Sequence, residues 1–312
     1  VGHLVFGNVI HGEARDMYLA RVACINGGLP QHTSALTVNR LCGSGLQAII
    51  SASQNILLND TDIAVAGGAE SMSRGGYLLP ALRWGQRMYD GSTVDMMVGA
   101  LTDPFDNVHM GITAENIAAK WQISREEQDQ FAAESHRRAL HAIKSGYFKS
   151  QILPIEITAR KETSIFDTDE HPRENTRIES LAKLKPVFHK QGSVTAGNAS
   201  GINDSAAALV LMEGHAAEKR NLKPIARLVA YGHAGVDPKF MGIGPVPAVQ
   251  NALRRANLKI ADLDIIESNE AFAVQAFAVA KELHFDPEKT NPNGGAVALG
   301  HPIGATGSIL TI

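Results

Sequence analysis

The stretch 38–48 reads VNRLCGSGLQA. It places one of only two cysteines in 312 residues between an apolar run and a Gly-Ser-Gly turn. Burial in a core is the ordinary fate of a free cysteine, but the setting of Cys42 argues for reactivity. Residues 36–40 read as a short strand, and beyond Gly43 and Gly45 the run LQAIISASQNILL carries apolar residues at helical spacing. A thiol at such a strand–turn–helix junction meets unpaired backbone N–H groups and the positive end of a helix, and both favour thiolate. The glycines let a ligand approach the backbone and offer N–H donors to an oxyanion. Cys24, in ARVACINGG, reads as packing.

A cysteine nucleophile needs a base, and histidine is the usual one. His301 lies in LGHPIGATG, where Pro302 biases it away from helix and toward a loop that projects its ring. The glycines from Gly300 run G-x-x-x-G-x-x-G, not the G-x-G-x-x-G of a dinucleotide site. Asn269 follows a strand-like DIIES and opens a helical run. Two readings stay open for it: a plain N-cap, or an amide that holds a water or polarises a carbonyl. Small and amide residues crowd VTAGNASGIND (194–204), which suits a tight turn or a groove for a long thin ligand. VHMGITAEN (108–116) and MGIGPVPA (241–248) add methionines beside turns, a residue type more often found in cores than in pockets.

Elements of α/β type must position these residues. HLVFGNVI reads as a strand, and DIAVAGGAESMS as a buried strand ending in glycines. Residues 73–200 are more charged and loop-rich, with one clear amphipathic helix. Ser124 and Glu127 form its capping box, Phe131, Ser135, Ala139 and Ile143 share a face, and Gly146 ends it. NDSAAALVLM returns to core helix or strand, PIARLVAYGHAG starts a second α/β block, and DLDIIES precedes a long apolar helix. The Cys42 and His301 stretches share a plan of strand, small-residue turn and helix start. Two halves of similar build would bring those turns together.

The length suggests about two domains, and 44% hydrophobic residues supply a core. No run approaches the roughly 18 apolar residues of a membrane helix. A net charge of −3 opposes a general nucleic-acid surface while leaving room for a local basic pocket for a phosphorylated ligand. There is no CxxC pair or HExxH, so zinc is not expected. Two cysteines in unrelated contexts point to a reducing, cytoplasmic compartment. The chain starts without Met inside a strand-like run and stops inside a helix start, as a trimmed chain does.

Taken together and in order, NRLCGSGLQAI, GGAESMS, HMGITAEN, TAGNASGINDSAAA, MGIGPVPA, SNEAFA and NPNGGAVALGHPIGATG resemble the thiolases. The DPFDNVHMGITAEN version is similar to the biosynthetic, bacterial β-ketothiolase branch, acetyl-CoA acetyltransferases included, which supplies polyhydroxyalkanoate synthesis. The resemblance implies an α/β thiolase fold: two similar α/β/α/β/α core domains with an inserted loop subdomain. The N-terminal core would take residues 1–72 and 203–224, the insert 73–202, and the C-terminal core 225–312. It implies an acyltransferase that reversibly cleaves or condenses 3-ketoacyl-CoA and acetyl-CoA through an acyl-Cys42 thioester. His301 would activate the thiol and, with a water on Asn269, stabilise the thioester or enolate oxygen. His109, Met110, Ala196, Ser200, Met241 and Phe272 would line the pantetheine and acyl channel, while Leu101, Arg173, Ser180 and Phe188 would touch coenzyme A more peripherally. No metal or redox cofactor is implied, and the partners are CoA thioesters and further copies of the chain as a dimer or tetramer, with YLLPALRWGQRMYDG at the tetramer contacts. The family's second catalytic cysteine, in Cys-x-Gly-Gly-Gly, does not occur in these residues. The alternative is therefore a protein that binds CoA thioesters without condensing them.

Overall fold

The computed structural model describes residues 1–159 and 162–312. Two compact units divide the chain: Val1–Met110 with Ile202–His233 and Pro302–Ile312, and Gly111–Gly201 with Ala234–His301. The last eleven residues pack within the first unit, and most of residues 73–202 pack within the second.

The first unit is built on four strands: β1 (His3–Gly7), β2 (Ser34–Val38), β3 (Ile63–Ser71) and β8 (Asp204–Met212). They form one sheet of order β2-β1-β3-β8. The first three pair in parallel, and β8 runs antiparallel to β3 from Ile63↔Met212 to Ser71↔Asp204. Alternation along β1 assigns its two faces. Val5 packs with Ala48, Ile49 and Ala52 of α2 (Ser44–Leu57), while Leu4 and Phe6 pack with Ala20 and Cys24 of α1 (Leu19–Asn26). The ribbon NDSAAALVLM, open between helix and strand in sequence, is thus the antiparallel strand β8, and α7 (Gly214–Lys219) follows it. The short pair β4 (Tyr77–Leu78) and β5 (Val94–Asp95) leads to α3 (Met96–Ala100).

The second unit centres on three helices: α4 (Met110–Trp121), α5 (Arg125–Ser145) and α9 (Ala273–Leu283). Ile117, Ala118, Val194, Val274 and Ala278 form its larger apolar cluster, and Ala132, Leu181, Ala273 and Val297 a smaller one. A hairpin of β6 (Ile155–Ala159) and β7 (Glu162–Phe166), the turn α6 (Ile178–Leu181), α8 (Pro245–Ala256) and α10 (Ala296–Leu299) complete it. The caps of α5 are those expected: Ser124 and Glu127 make the reciprocal box, and Gly146 closes the helix at φ +74°. Its buried stripe is rotated from the expected face. Ser135 and Ala139 are on it, but Gln128, Asp129, Ala132, His136 and Ala142 are buried while Phe131 and Ile143 are only partly so. The buried polar residues are there because they bond to other segments of the unit.

One strand expectation is corrected, and the block that PIARLVAYGHAG starts opens without a strand. Residues 224–235 form no strand, and Ile225, Leu228 and Val229 of that segment are exposed. DIIES pairs only at the single bridge Ile266↔Thr290. A β-rich run becomes a strand only where a neighbour supplies the ladder. Among the described residues, no helix is long and apolar enough to cross a membrane.

Candidate active site

In the first unit Cys42 occupies the turn between β2 and α2. Leu41 before it holds φ +45°, a left-handed conformation costly for a residue with a branched side chain. Side chains lock the turn: Ser44 Oγ accepts the Arg40 N–H at 2.8 Å and donates to the Leu41 carbonyl at 2.7 Å, while Asn39 Oδ1 accepts the Leu41 N–H at 2.9 Å. The strain is thus over-determined by three hydrogen bonds, the pattern of a turn that aims one side chain. Gly45 is required next to it. A Cβ there would stand 2.7 Å from the backbone nitrogen of Ser308 in α11 (Thr306–Thr311), which lies against α2.

Cys42 is half-buried and packs beside Ile10, Met72 and Ile303. Burial pushes its thiol up to about 11; its own backbone N–H pulls the other way, and the nearby charge of Glu70 adds to the rise. This corrects the expectation of a resting thiolate. The helix starts two residues later, at Ser44, and desolvation by the apolar neighbours outweighs the dipole.

Glu70 went unnoticed in the sequence. Its carboxylate is buried and accepts four N–H groups: Asn8 Nδ2 and Ile10 N at 3.1 Å, Val9 N at 3.0 Å and Gly304 N at 2.9 Å. Burial raises its pKa, and the backbone N–H groups of Ile10, Val9 and Gly304 offset only part of the rise. It ties the end of β3 to the residues after β1 and to the segment that follows His301 and Pro302. An acid closing an apolar strand was the available signal.

Leu101, His109 and Met110 sit at one loop closure of this unit. Thr102 and His109 form a bridge, and the Met110 N–H donates to the Leu101 carbonyl at 2.7 Å. Burial lowers the His109 pKa, which favours the neutral ring.

In the second unit the structure joins Asn269 to His301. Asn269 Nδ2 lies 3.4 Å from His301 Nε2, and Asn269 Oδ1 is buried with no hydrogen-bond partner among the described residues. Such a carbonyl carries a desolvation penalty until a water or ligand fills it. His301 is only 4% exposed, and burial pushes its pKa down to about 4, so it is a neutral base at pH 7. Asn269 does not cap the helix, because α9 begins at Ala273 with Phe272 at the cap position. The capping alternative thereby falls.

Ser200, Phe272 and Phe188 gather nearby in sequence-distant loops. Ser200 donates its N–H and its Oγ–H to the Ala271 carbonyl, each at 3.0 Å, and Ala199 bridges Phe272. Phe188 meets Phe272 edge-on at 6.3 Å between ring centres. The loop holding Ala196 and Ser200 is anchored by fully buried Asn198. Its Nδ2 donates to Asp129 at 2.9 Å, and its Oδ1 accepts the Thr195 N–H at 2.8 Å. Met241 lies in a 3-10 turn (Pro238–Ile243) before α8.

Arg173 and Ser180 are placed elsewhere. Arg173 lines a cavity of about 460 Å³ with His136, Arg137, Lys144 and Arg177, which none of the other candidates lines. Ser180 Oγ accepts the Arg177 N–H at 3.1 Å and donates to the Arg177 carbonyl at 2.7 Å, so its hydroxyl serves the first turn of α6.

The first unit presents a cysteine on a strained turn before a helix, and the second a neutral histidine beside an asparagine whose carbonyl is buried without a partner among the described residues; these are residue types that acyl transfer uses. Residues 1–215 match the family model "Thiolase, N-terminal domain" and residues 222–312 match "Thiolase, C-terminal domain", so the chain belongs to the thiolase family. It is 64% identical over 313 residues to beta-ketothiolase BktB of Cupriavidus necator, covering 100% of this chain and 79% of that protein. The crystal structure of the Bacillus anthracis acetyl-CoA acetyltransferase superposes with a TM-score of 0.97 at 48% identity, over 100% of this chain and 79% of the other. Human mitochondrial 3-ketoacyl-CoA thiolase in complex with CoA gives 0.96 at 44% identity, over 100% and 78%.

Proposed function

We propose that Cys42 is the acyl-accepting nucleophile of a β-ketothiolase and that His301 and Asn269 form its proton-handling and oxyanion group. The enzyme is an acyltransferase that catalyses thiolytic cleavage of acetoacetyl-CoA and its reverse, the Claisen condensation of acetyl-CoA. The observation that carries the residue roles is the pairing of neutral His301 with Asn269, whose buried Oδ1 lacks a partner among the described residues.

In the acylation step the Cys42 sulfur bonds to the thioester carbonyl carbon, the carbon–sulfur bond to CoA breaks, and the thiol proton ends on the CoA sulfur. A neutral thiol and a neutral imidazole are the right resting forms, since neither charge is desolvated before substrate arrives. In condensation, the donors at His301 and Asn269 match the enolate oxygen of the second acetyl-CoA, which needs fixed hydrogen-bond partners. The Cys42 N–H serves the acyl oxygen. On this reading His109 and Met110 of the first unit and Ala196, Ser200, Met241 and Phe272 of the second serve the acyl and pantetheine groups, with Leu101 and Phe188 in a marginal role. The separate basic cavity supports an outer role for Arg173 toward phosphate groups, and the capping bonds of Ser180 give its hydroxyl a structural role first.

The chemistry calls for CoA thioesters as substrates and no metal or redox cofactor. Short 3-ketoacyl chains, a place in polyhydroxyalkanoate synthesis and a cytoplasmic site of action complete the reading. The exposed Tyr77, Leu82, Trp84, Met88 and Tyr89 support a homo-oligomer assembled through this arm. Incubation with acetyl-CoA followed by peptide mapping tests the assignment. Acetyl on Cys42 with stoichiometric release of CoA is expected; a folded protein that is never acetylated at Cys42 refutes it.

A further inference from the structure

Asn269 is held by neighbours that the proposed chemistry does not use. The Ile266 N–H donates to the Lys289 carbonyl and the Asn291 N–H to the Ile266 carbonyl, each at 2.9 Å. Where this short ladder ends, the Asn291 side chain replaces it. Its Oδ1 accepts the Ser268 N–H at 2.7 Å, and its Nδ2 donates to the Ser268 carbonyl and to Glu270 Oε1, both at 2.8 Å. Both amide hydrogens and the amide oxygen are thus committed. Asn291 adopts φ +46°, a conformation asparagine tolerates better than most residues.

Glu270 is 2% exposed, and its second oxygen accepts the Ser135 hydroxyl at 2.7 Å and the Val297 N–H at 3.1 Å. Ser135 Oγ in turn accepts the Gly295 N–H at 3.1 Å. A Cβ on Gly295 would fall on the Glu270 carboxylate, so the loop is drawn tightly around it.

We propose that Asn291 is the positioning residue of the Asn269–His301 pair: its carboxamide fixes Ser268 and Glu270 on either side of Asn269, and Glu270 passes the constraint through Val297 to the loop that ends at His301. The inference rests on the site reading above. An amide clamped at both flanking residues has little freedom, and a displacement of about 1 Å in such a group costs on the order of 100-fold in rate.

The test is steady-state thiolysis of acetoacetyl-CoA by the full chain and four variants. Asn291→Asp keeps the shape but sets a carboxylate against Glu270. The other charged groups facing this carboxylate are Glu267, raised to about 7 by burial and by Glu270, and Arg138 of α5, which donates to the Thr290 carbonyl at 2.7 Å. At pH 8 N291D is expected to lose about tenfold to 100-fold in kcat with KM within about twofold. The variant-to-wild-type ratio should recover as pH falls, since a proton shared by the introduced carboxylate and Glu270, already raised by burial, relieves the repulsion. Ser135→Ala, losing one bond to the same carboxylate, should show a smaller loss in kcat alone. Unchanged kcat in N291D and S135A overturns the proposal, as does an equal loss in kcat/KM through KM with no recovery at low pH. His301→Ala and Asn269→Ala run in parallel: if these two retain full activity, the site reading itself falls, and the proposal with it. If they lose activity while N291D and S135A do not, only the proposal falls.

Discussion

At the scale of single residues, the proposed chemistry rests on two groups, Cys42 and His301, whose burial suppresses charge. Cys42, at about 11, carries little thiolate at neutral pH. Inactivation of the free enzyme by iodoacetamide should therefore rise about tenfold per pH unit from pH 7 to pH 10. A plateau near pH 8.5 would show an ordinary or activated thiol and contradict the apolar packing as its controlling feature. Replacing Cys42 by Ala should lower thiolysis roughly 1,000-fold or more, measured as CoA-dependent loss of acetoacetyl-CoA. Cys42 and His301 stood out as candidates in the sequence because a glycine turn and a following proline mark their loops, whereas Asn269 stayed open until its motif joined the family resemblance. The direction of the Cys42 shift was not, since Ile10, Met72 and Ile303 reach it from three separate places in the chain.

Among the elements, α2 and α11 pack through missing side chains. An exposed Gly→Ala exchange in a helix should stabilise it by about 1 kcal/mol through propensity. At Gly45 the added methyl would instead meet Ser308 N at 2.7 Å and the Ala305 carbonyl at 3.0 Å. Gly45→Ala is expected to destabilise by about 1–3 kcal/mol, read from urea unfolding; a stabilised variant would mean that α11 moves aside freely. The caps of α5 were readable because a capping box and a C-terminal glycine act within one turn of chain. Its buried face was not: Gln128, Asp129, Ser135 and His136 are inside through bonds to Ser193, Asn198, Glu270 and Arg173. No period in the helix itself reveals such partners.

Across the molecule, each unit is assembled from segments far apart in the chain, and its stability inherits their buried ionisable groups. His136 is a case outside the proposed chemistry. Burial, with His171 and Arg173 nearby, lowers it from 6.5 to about 4. Between these values the unfolded chain binds the extra proton, so this group makes stability fall as pH drops from about 6.5 toward 4. His136→Asn, whose amide oxygen can accept the Arg173 N–H in place of Nδ1, should flatten that slope by up to about 1.4 kcal/mol per pH unit. Urea titrations of both proteins at pH 4.5, 5.5 and 6.5 would decide it, and parallel curves would refute a neutral buried ring.

Seven short motifs taken in order suffice for the family and the α/β class, and they nominate Cys42, His301 and Asn269 as candidates, because local turns and motif order are written in the chain. Other properties exist only in the folded chain: Cys42 rests as a thiol, Asn269 pairs with His301 and leaves a carbonyl buried, and Glu70, Glu270 and Asn291 hold the loops. Those are effects of burial and of hydrogen bonds between residues tens to hundreds of positions apart, and such distances in sequence carry no local signal.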